Sequence, residues 1–270
     1  MATEPLLYEK KDHIAAITLN RPEAHNALTP RMLCLLADAL IDARDDPSVR
    51  AILLAGSGGK AFCSGGDLGR TLPLLTGDRR PEDAWDERLL TDPGIMQASS
   101  LCDPQLHKPV VAAVTGICMA AGAELLLGTD IRVASMDARF AWPEVQRGLI
   151  PFAGSMTRLP AQLPFCQAME LMLTGEAINA EKALQLGLVN YVVHGPEVMD
   201  VARRIARRIA DNAPLAVVEI KKTTQASLGV PPIEAFALEK EAYRRVMATE
   251  DAREGPRAFM ERRAPVYRGR

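Results

Sequence analysis

Lys108 to Ser155 reads KPVVAAVTGICMAAGAELLLGTDIRVASMDARFAWPEVQRGLIPFAGS. The run Val110 to Val114 is apolar and β-branched, the composition of a strand buried on both faces. Thr115-Gly116 breaks it. A stretch of small residues, Ala120-Ala121-Gly122-Ala123, leads to Glu124 at the head of a helix-like segment, Leu125-Leu126-Leu127. Ile131 to Ala134 reads as the next strand, and Trp142-Pro143-Glu144 brings a second acid. Two carboxylates therefore lie at the edges of apolar, Gly- and Ala-rich segments. Charged groups are seldom buried in such places without a partner or a task.

Outward from this stretch, strand, turn and helix alternate. Leu6 to Glu9 and His13 to Leu19 read as strands around the polar turn Lys10-Lys11-Asp12. A helix starts at Thr29-Pro30, a cap followed by Pro in the first turn, with Leu33, Leu36, Ala37, Leu40 and Ile41 as its apolar stripe. Val49 to Ala55 is a buried strand that leaves through Gly56-Ser57-Gly58-Gly59. Residues 68–107 carry Pro73, Gly77, Pro81, Pro93, Gly94 and Pro104 and read as a long irregular excursion, either a lid or a surface loop. Beyond the central stretch, Cys166 to Leu173 reads as a helix stopped by Gly175. Asn179 caps a helix over Ala180 to Leu186, and Leu188 to Val193 is a strand. From Glu197 the chain reads as helices. Val198, Val201, Ala202, Ile205 and Ile209 line one face of the first, beside a solvated row of Arg203, Arg204, Arg207 and Arg208. The alternation argues for α/β layering.

Composition removes several classes of function. The 270 residues are 48% hydrophobic, enough for a substantial core, and the net charge of −2 gives no electrostatic case for nucleic acid. The N-terminus lacks the basic and apolar regions of a signal peptide, and no apolar run approaches a membrane span. Five scattered cysteines point to a reduced, cytoplasmic protein, and four scattered histidines suggest no metal site.

The central stretch resembles the crotonase superfamily, and enoyl-CoA hydratases in particular. The family pattern KPV-x-AAV-x-G, a small-residue turn with Glu, and F-x-x-PE-x-x-x-G-x-x-P stand here as Lys108 to Gly116, Ala121 to Glu124, and Phe140 to Pro151. An oxyanion-loop pattern, G-x-x-x-AF-x-x-G-x-D, stands as Gly56 to Asp67 (GSGGKAFCSGGD). The resemblance covers nearly the whole chain. It implies an α/β fold, a superhelix of repeated ββα units with the CoA and catalytic site in residues 1–195, followed by a helical oligomerisation region in 196–270. It also implies a trimer or a hexamer built as a dimer of trimers.

The chemistry implied is reversible hydration of a 2-trans-enoyl-CoA, in fatty-acid or related acyl-CoA degradation, with no cofactor beyond the CoA of the substrate. Glu124 and Glu144 match the two catalytic glutamates, one to activate water and one to protonate C2. Gly66 and Ala121 match the two backbone donors that polarise the thioester carbonyl. Lys60, Ala61, Ser64, Asp67, Leu68, Gly122, Trp142 and Pro143 fall at substrate-binding positions. Phe259 and Arg262 lie in a terminal element that reaches a neighbouring subunit's adenine in relatives. The sequence departs from the common pattern at Ala120-Ala121-Gly122 (usually three glycines), Thr115 (usually Asn) and Gly69 (often basic). Trp142 also departs, and it either walls the acyl pocket or packs in the core.

Other readings fit less of the chain. Gly56, Gly58 and Ala61 match a dinucleotide fingerprint, but Gly65-Gly66 interrupts the helix that it requires. Ala61 after Lys60 breaks a phosphate-binding P-loop. Dehydratases of the hydroxyacyl- or carnitinyl-CoA type also keep both acids, and the C-terminal EGPRAFMERRAPVYRGR resembles theirs. Family isomerases usually keep only the second acid. A non-catalytic CoA-binding scaffold would have no use for either.

Overall fold

The computed structural model describes residues 4–270. The chain opens with a hairpin, β1 (Leu6–Lys11) and β2 (Ile14–Leu19), in antiparallel register with Lys11 opposite Ile14. The turn lies at Asp12-His13, one residue later than the sequence suggests. Both residues hold positive φ, 52° and 63°, as a two-residue turn matched to strand twist requires. Helix α1 (Pro30–Asp45) begins where expected. Thr29 Oγ1 accepts from the Met32 N–H at 3.2 Å, and Pro30 occupies the first turn.

The middle of the chain repeats one step three times. A strand of a six-stranded sheet turns at once into a short strand of a four-stranded sheet, and a helix follows. The three pairs are β3 (Ala51–Gly56) with β4 (Ala61–Cys63), β5 (Val110–Val114) with β6 (Ile117–Met119), and β7 (Ile131–Ser135) with β8 (Arg139–Ala141). The larger sheet runs β1-β2-β3-β5-β7-β10 and the smaller β4-β6-β8-β9, with β9 at Ile178–Asn179 and β10 at Tyr191–Val193. From β2 to β10 the large sheet is parallel. This is the superhelix of ββα units that the family resemblance implies. The last strand is shorter than the expected Leu188 to Val193, because the Leu188 and Val189 side chains are drawn into the core ahead of the pairing.

Alternation along β3 shows where the core sits. Ile52 and Leu54 face the space between the sheets, with Phe62, Phe140 and Trp142, while Ala51, Leu53 and Ala55 face outward. That outer face is covered by helix α9 (Val198–Ala210), whose Val198, Ala202, Ala206 and Ala210 are buried against it.

Residues 68–107 are not irregular. They form α2 (Thr71–Thr76), α3 (Ala84–Thr91) and α4 (Pro93–Ser99). Asp83 caps α3 through the N–H groups of Trp85 and Asp86, and Asp92 caps α4 through Gly94. Pro93 is a first-turn residue rather than a breaker. Asp86, 1% exposed, pins the segment through both terminal nitrogens of Arg79 at 2.5 and 2.9 Å.

The remaining helices are α5 (Ala121–Leu127), α6 (Ser155–Gln162), α7 (Phe165–Thr174), α8 (Ala180–Gln185), α10 (Pro214–Ser227), α11 (Pro232–Met247) and α12 (Asp251–Met260). Helix α10 is tied to the start of β5 by Lys221, whose Nζ donates to Lys108 O at 2.9 Å and pairs with Asp130 at 2.8 Å. Among the described residues no helix is long and apolar enough to cross a membrane.

Candidate active site

The loop after β4 crosses the N-terminus of α5. Its backbone is almost fully committed. Ser64 N–H donates to His25 O at 3.1 Å, Asp67 N–H to Leu28 O at 2.9 Å, and Gly65 N–H to Cys63 Sγ at 3.4 Å. Leu28 in turn donates to Gly65 O at 2.8 Å, and Leu28 and Gly66 form a parallel bridge. In such a pairing successive N–H groups point to opposite sides. The Gly66 N–H therefore faces away from Leu28 and has no partner among these loop bonds. Ala121 is the first residue of α5, so its N–H has no carbonyl one turn back. Both residues line one cavity of about 510 Å³. Two free donors, one at the positive end of a helix, face the same space.

The approach of loop and helix is close. A Cβ on Gly122 would lie 2.3 Å from Cys63 O, and one on Gly65 would lie 2.7 Å from Ala120 Cβ. Asp67, expected to bind substrate, instead holds the loop. Its carboxylate pairs with Arg21 at 2.5 Å and accepts from the N–H groups of Gly69 and Arg70. Asn26, wholly buried, donates to Ser57 O at 3.1 Å and Ala61 O at 2.8 Å. Neither Arg21 nor Asn26 stands out in the sequence, because their partners lie 46 and 35 positions away.

Glu124 comes one turn into α5 and is 1% exposed. Its Oε1 accepts from the Ala153 N–H at 2.8 Å. Burial raises its pKa to about 7. The bond from the Ala153 N–H opposes the rise, and the charge of Glu144 adds to it. Glu144 lies in the turn Pro143–Arg147 after β8 and is 8% exposed. Burial raises its pKa too, against its own N–H and the charge of Arg147. Its Oε2 is buried with no hydrogen-bond partner. A buried carboxylate oxygen left unpaired and facing a cavity invites a donor from solvent or ligand. Both carboxyls line the cavity that holds the two free N–H groups. The charge of Glu144 is thus felt at Glu124 across the same cavity.

The rest of the wall is mainly apolar, with Thr71, Thr76, Ser99, Ser100 and Arg147 among it. Leu33, Leu68, Leu72, Leu75 and Met96 come from α1 and the helical excursion, Ile117 and Met119 from β6, and Leu149 and Phe152 from the turn after Glu144. Ser64, Leu68 and Pro143 line it, as the motif positions imply. Trp142 does not. It is fully buried and its indole points into the core, where Nε1 donates to Ser155 Oγ at 2.9 Å. Ala61 and Gly122 also stay behind the wall. Ala61 is buried in β4, and Gly122 is pressed against Cys63. Lys60 is exposed at the entry to β4. Phe259, 82% exposed, and Arg262 lie at the end of α12, away from the cavity wall of their own chain. The Ala153 amide is a site group that the sequence alone does not reveal, because an alanine does not signal contact with a carboxylate.

Comparison with known proteins identifies the family. A family profile described as enoyl-CoA hydratase/isomerase matches residues 9–270. An enoyl-CoA hydratase of Mycobacterium tuberculosis is 37% identical over 98% of this chain and 96% of its own. A carnitinyl-CoA dehydratase of Proteus mirabilis is 37% identical over 95% of each chain. The crystal structure of an enoyl-CoA hydratase from Mycobacterium tuberculosis superposes with a TM-score of 0.87 at 37% identity, covering 99% of this chain and all of that one. With the family profile matched over residues 9–270 and relatives of the same fold at 37% identity along nearly the whole chain, the chain belongs to the enoyl-CoA hydratase/isomerase family.

Proposed function

We propose that this protein is an enoyl-CoA hydratase, adding water reversibly across the double bond of a 2-trans-enoyl-CoA. The observation that carries the reading is the meeting of two buried glutamates and two unpartnered N–H groups on one apolar cavity. The N–H groups of Gly66 and Ala121 receive the thioester oxygen as negative charge builds on it, a contribution worth roughly 3–4 kcal/mol per donor in comparable sites. Glu124, its Oε1 held by the Ala153 N–H, takes a proton from water as the oxygen bonds to C3. Glu144 gives its proton to C2. The pair then holds its proton on Glu124, and transfer back to Glu144 resets the site. CoA arrives and leaves with the substrate, and the reaction needs no other cofactor.

Dehydration of a carnitinyl thioester is the rival within the family. A trimethylammonium head would have to sit in an acyl pocket whose only charged lining residue besides the two glutamates is the cation Arg147. The remaining wall is mostly aliphatic, with one aromatic ring and a few Ser and Thr residues, and suits an uncharged acyl chain. Lys60, exposed before β4, is assigned to the CoA phosphates. Phe259 and Arg262 are assigned to the adenine of a neighbouring subunit's substrate, within a trimer or a dimer of trimers. The exposed apolar residues Ile220, Ile233, Phe236 and Tyr243 on α10 and α11 support that assembly. A reducing compartment such as the cytoplasm suits the five free cysteines.

The test is a panel of enoyl-, hydroxyacyl- and carnitinyl-CoA thioesters, with Glu124→Gln and Glu144→Gln beside the wild type. Each substitution is expected to lower kcat for the best enoyl-CoA by at least ~10² with the fold intact. Wild-type turnover by either variant removes the two-acid mechanism. CoA binding without any turnover favours a scaffold instead.

A further inference from the structure

Asn26 is wholly buried, and its backbone stands at φ 55°, next to His25 at φ 52°. Two successive non-glycine residues stay in the left-handed region only where their surroundings hold them there. The Asn26 side chain supplies that hold. Its Nδ2 donates to Ser57 O at 3.1 Å and to Ala61 O at 2.8 Å, and its Oδ1 accepts from the Arg21 N–H at 2.9 Å. A carbonyl only accepts and a backbone N–H only donates, so these partners fix which way the amide faces. The turn that carries Asn26 is also pressed onto the connection between β3 and β4. A Cβ on Gly58 would meet Pro22 Cβ at 2.4 Å.

Residues 25–28 are in turn the edge along which the loop after β4 lies. His25 O accepts from the Ser64 N–H at 3.1 Å, Gly65 O from the Leu28 N–H at 2.8 Å, and Leu28 O from the Asp67 N–H at 2.9 Å. These three bonds bracket Gly66 and leave its own N–H facing away from Leu28. Asn26 lies inside this edge but is not part of the cavity wall. Its amide ties the edge to Ala61, the first residue of the strand from which the loop leaves. One buried side chain therefore fixes both the base of the loop and the edge that the loop lies against.

We infer that Asn26 is a positioning residue for the Gly66 N–H, acting from behind the loop without touching substrate. The role rests on the hydratase reading, in which that N–H receives the thioester oxygen. Such a donor contributes only when it meets the oxygen at hydrogen-bond distance. A loop released from its base or from its edge loses that placement, and a displacement of about 1 Å in a reacting site costs on the order of 10² in rate.

The experiment reads the polarisation itself. Full-length protein is mixed with butanoyl-CoA isotopically labelled at the thioester carbonyl, a saturated probe with no double bond to hydrate. The infrared stretch of that carbonyl is compared with its value in water, and kcat and KM are measured with the best enoyl-CoA of the panel. Wild type is expected to lower the stretch, since two fixed donors weaken the carbonyl bond. Asn26→Gly keeps the left-handed backbone without strain and removes the three side-chain bonds. It should return the stretch roughly half-way to its value in water, because the Ala121 N–H remains, and lower kcat about 10- to 100-fold with KM within about threefold. Asn26→Asp keeps the acceptor for Arg21 and, as a neutral buried acid, one donor, so it should fall between. A purely structural role would lower the urea midpoint of both variants and leave the stretch of the bound probe where it is in wild type. An unmoved stretch in Asn26→Gly overturns the positioning role, as does a kcat within about twofold of wild type. If Asn26→Gly does not fold, an unmoved stretch in Asn26→Asp overturns it. A wild type that leaves the stretch unchanged overturns the oxyanion reading of Gly66 and Ala121, and the positioning role with it. A wild-type shift that both variants preserve overturns the positioning role alone.

Discussion

Ala120 stands at φ 48° and ψ −129°, a region that glycine enters freely and other L-residues only under strain. It is held there from both sides. Its N–H is bonded to Ala141 O at 3.0 Å, and the next residue must open α5 with its own N–H free. The strain lies beside the free Ala121 N–H. Ala120→Gly should relieve it, for a net gain of about 1 kcal/mol after glycine's greater chain entropy is set against the relief. The urea midpoint measures this, and an unchanged or lower midpoint shows that no strain is stored there. Glu124 carries the opposite kind of cost. Its ordinary pKa of 4.5 rises to about 7 in the folded protein. Between those values the unfolded chain has released the proton and the folded chain has kept it. Stability therefore falls as pH rises from about 4.5 to 7, and stays reduced above that. Glu124→Gln does not titrate. It should be more stable than wild type by up to about 3 kcal/mol at pH 8, the upper bound from the linkage, with the gain vanishing near pH 4.5. Denaturant unfolding at the two pH values tests this, and an equal gain at both would point to packing rather than charge.

At the scale of elements, the site exists because α5 is pressed onto the end of β4. Gly122 makes that contact possible, since any Cβ there meets Cys63 O at 2.3 Å. Gly122→Ala should push the helix outward and carry the Ala121 N–H and Glu124 with it. The expected loss is roughly 2–3 kcal/mol of stability for overpacking, with kcat reduced at least tenfold by the misplaced groups. A variant that keeps wild-type kcat would show that the helix position is not critical. The same elements show what the sequence could disclose. The buried strands Val110–Val114 and Ile131–Ser135 were legible as β-branched runs, and α1 through its cap and stripe. The strands of the small sheet are three residues long or fewer, too short for any period to register. The helices of residues 68–107 hid behind prolines that in fact sit in first turns or between elements. Glu124, Glu144, Gly66 and Ala121 were found through motif positions. The supports around them, Arg21, Asn26 and Ala153, depend on tertiary pairings that no local pattern encodes.

For the whole molecule, the C-terminal helices divide into two kinds. Helix α9 closes the outer face of the large sheet. Helices α10 and α11 leave Ile220 68%, Ile233 77%, Phe236 63% and Tyr243 64% exposed, more apolar surface than a peripheral helix pair keeps in water. Helix α12 is held in place by the tail that follows it. Asp251 accepts from the N–H groups of Arg268 and Gly269 at 2.8 Å each. Glu254 accepts from Val266 N–H at 3.0 Å and pairs with Arg263. Arg50, beside the large sheet, donates to Tyr267 O at 3.0 Å and so anchors the tail to the core. The tail therefore presents Phe259 in a defined place, 82% exposed, although nothing in its own chain uses the ring. An aromatic ring with a cation three residues on suits an adenine and its neighbouring phosphate. Removal of residues 251–270 should therefore weaken CoA binding, seen as a raised KM and a raised Kd for free CoA, and should shift the mass measured by light scattering below that of the full chain. Phe259→Ala and Arg262→Ala should raise KM without altering kcat, since neither touches the reacting carbons. If the full chain is a monomer, or if the truncated one binds CoA as the full chain does, each site is complete within one subunit and the shared arrangement is wrong.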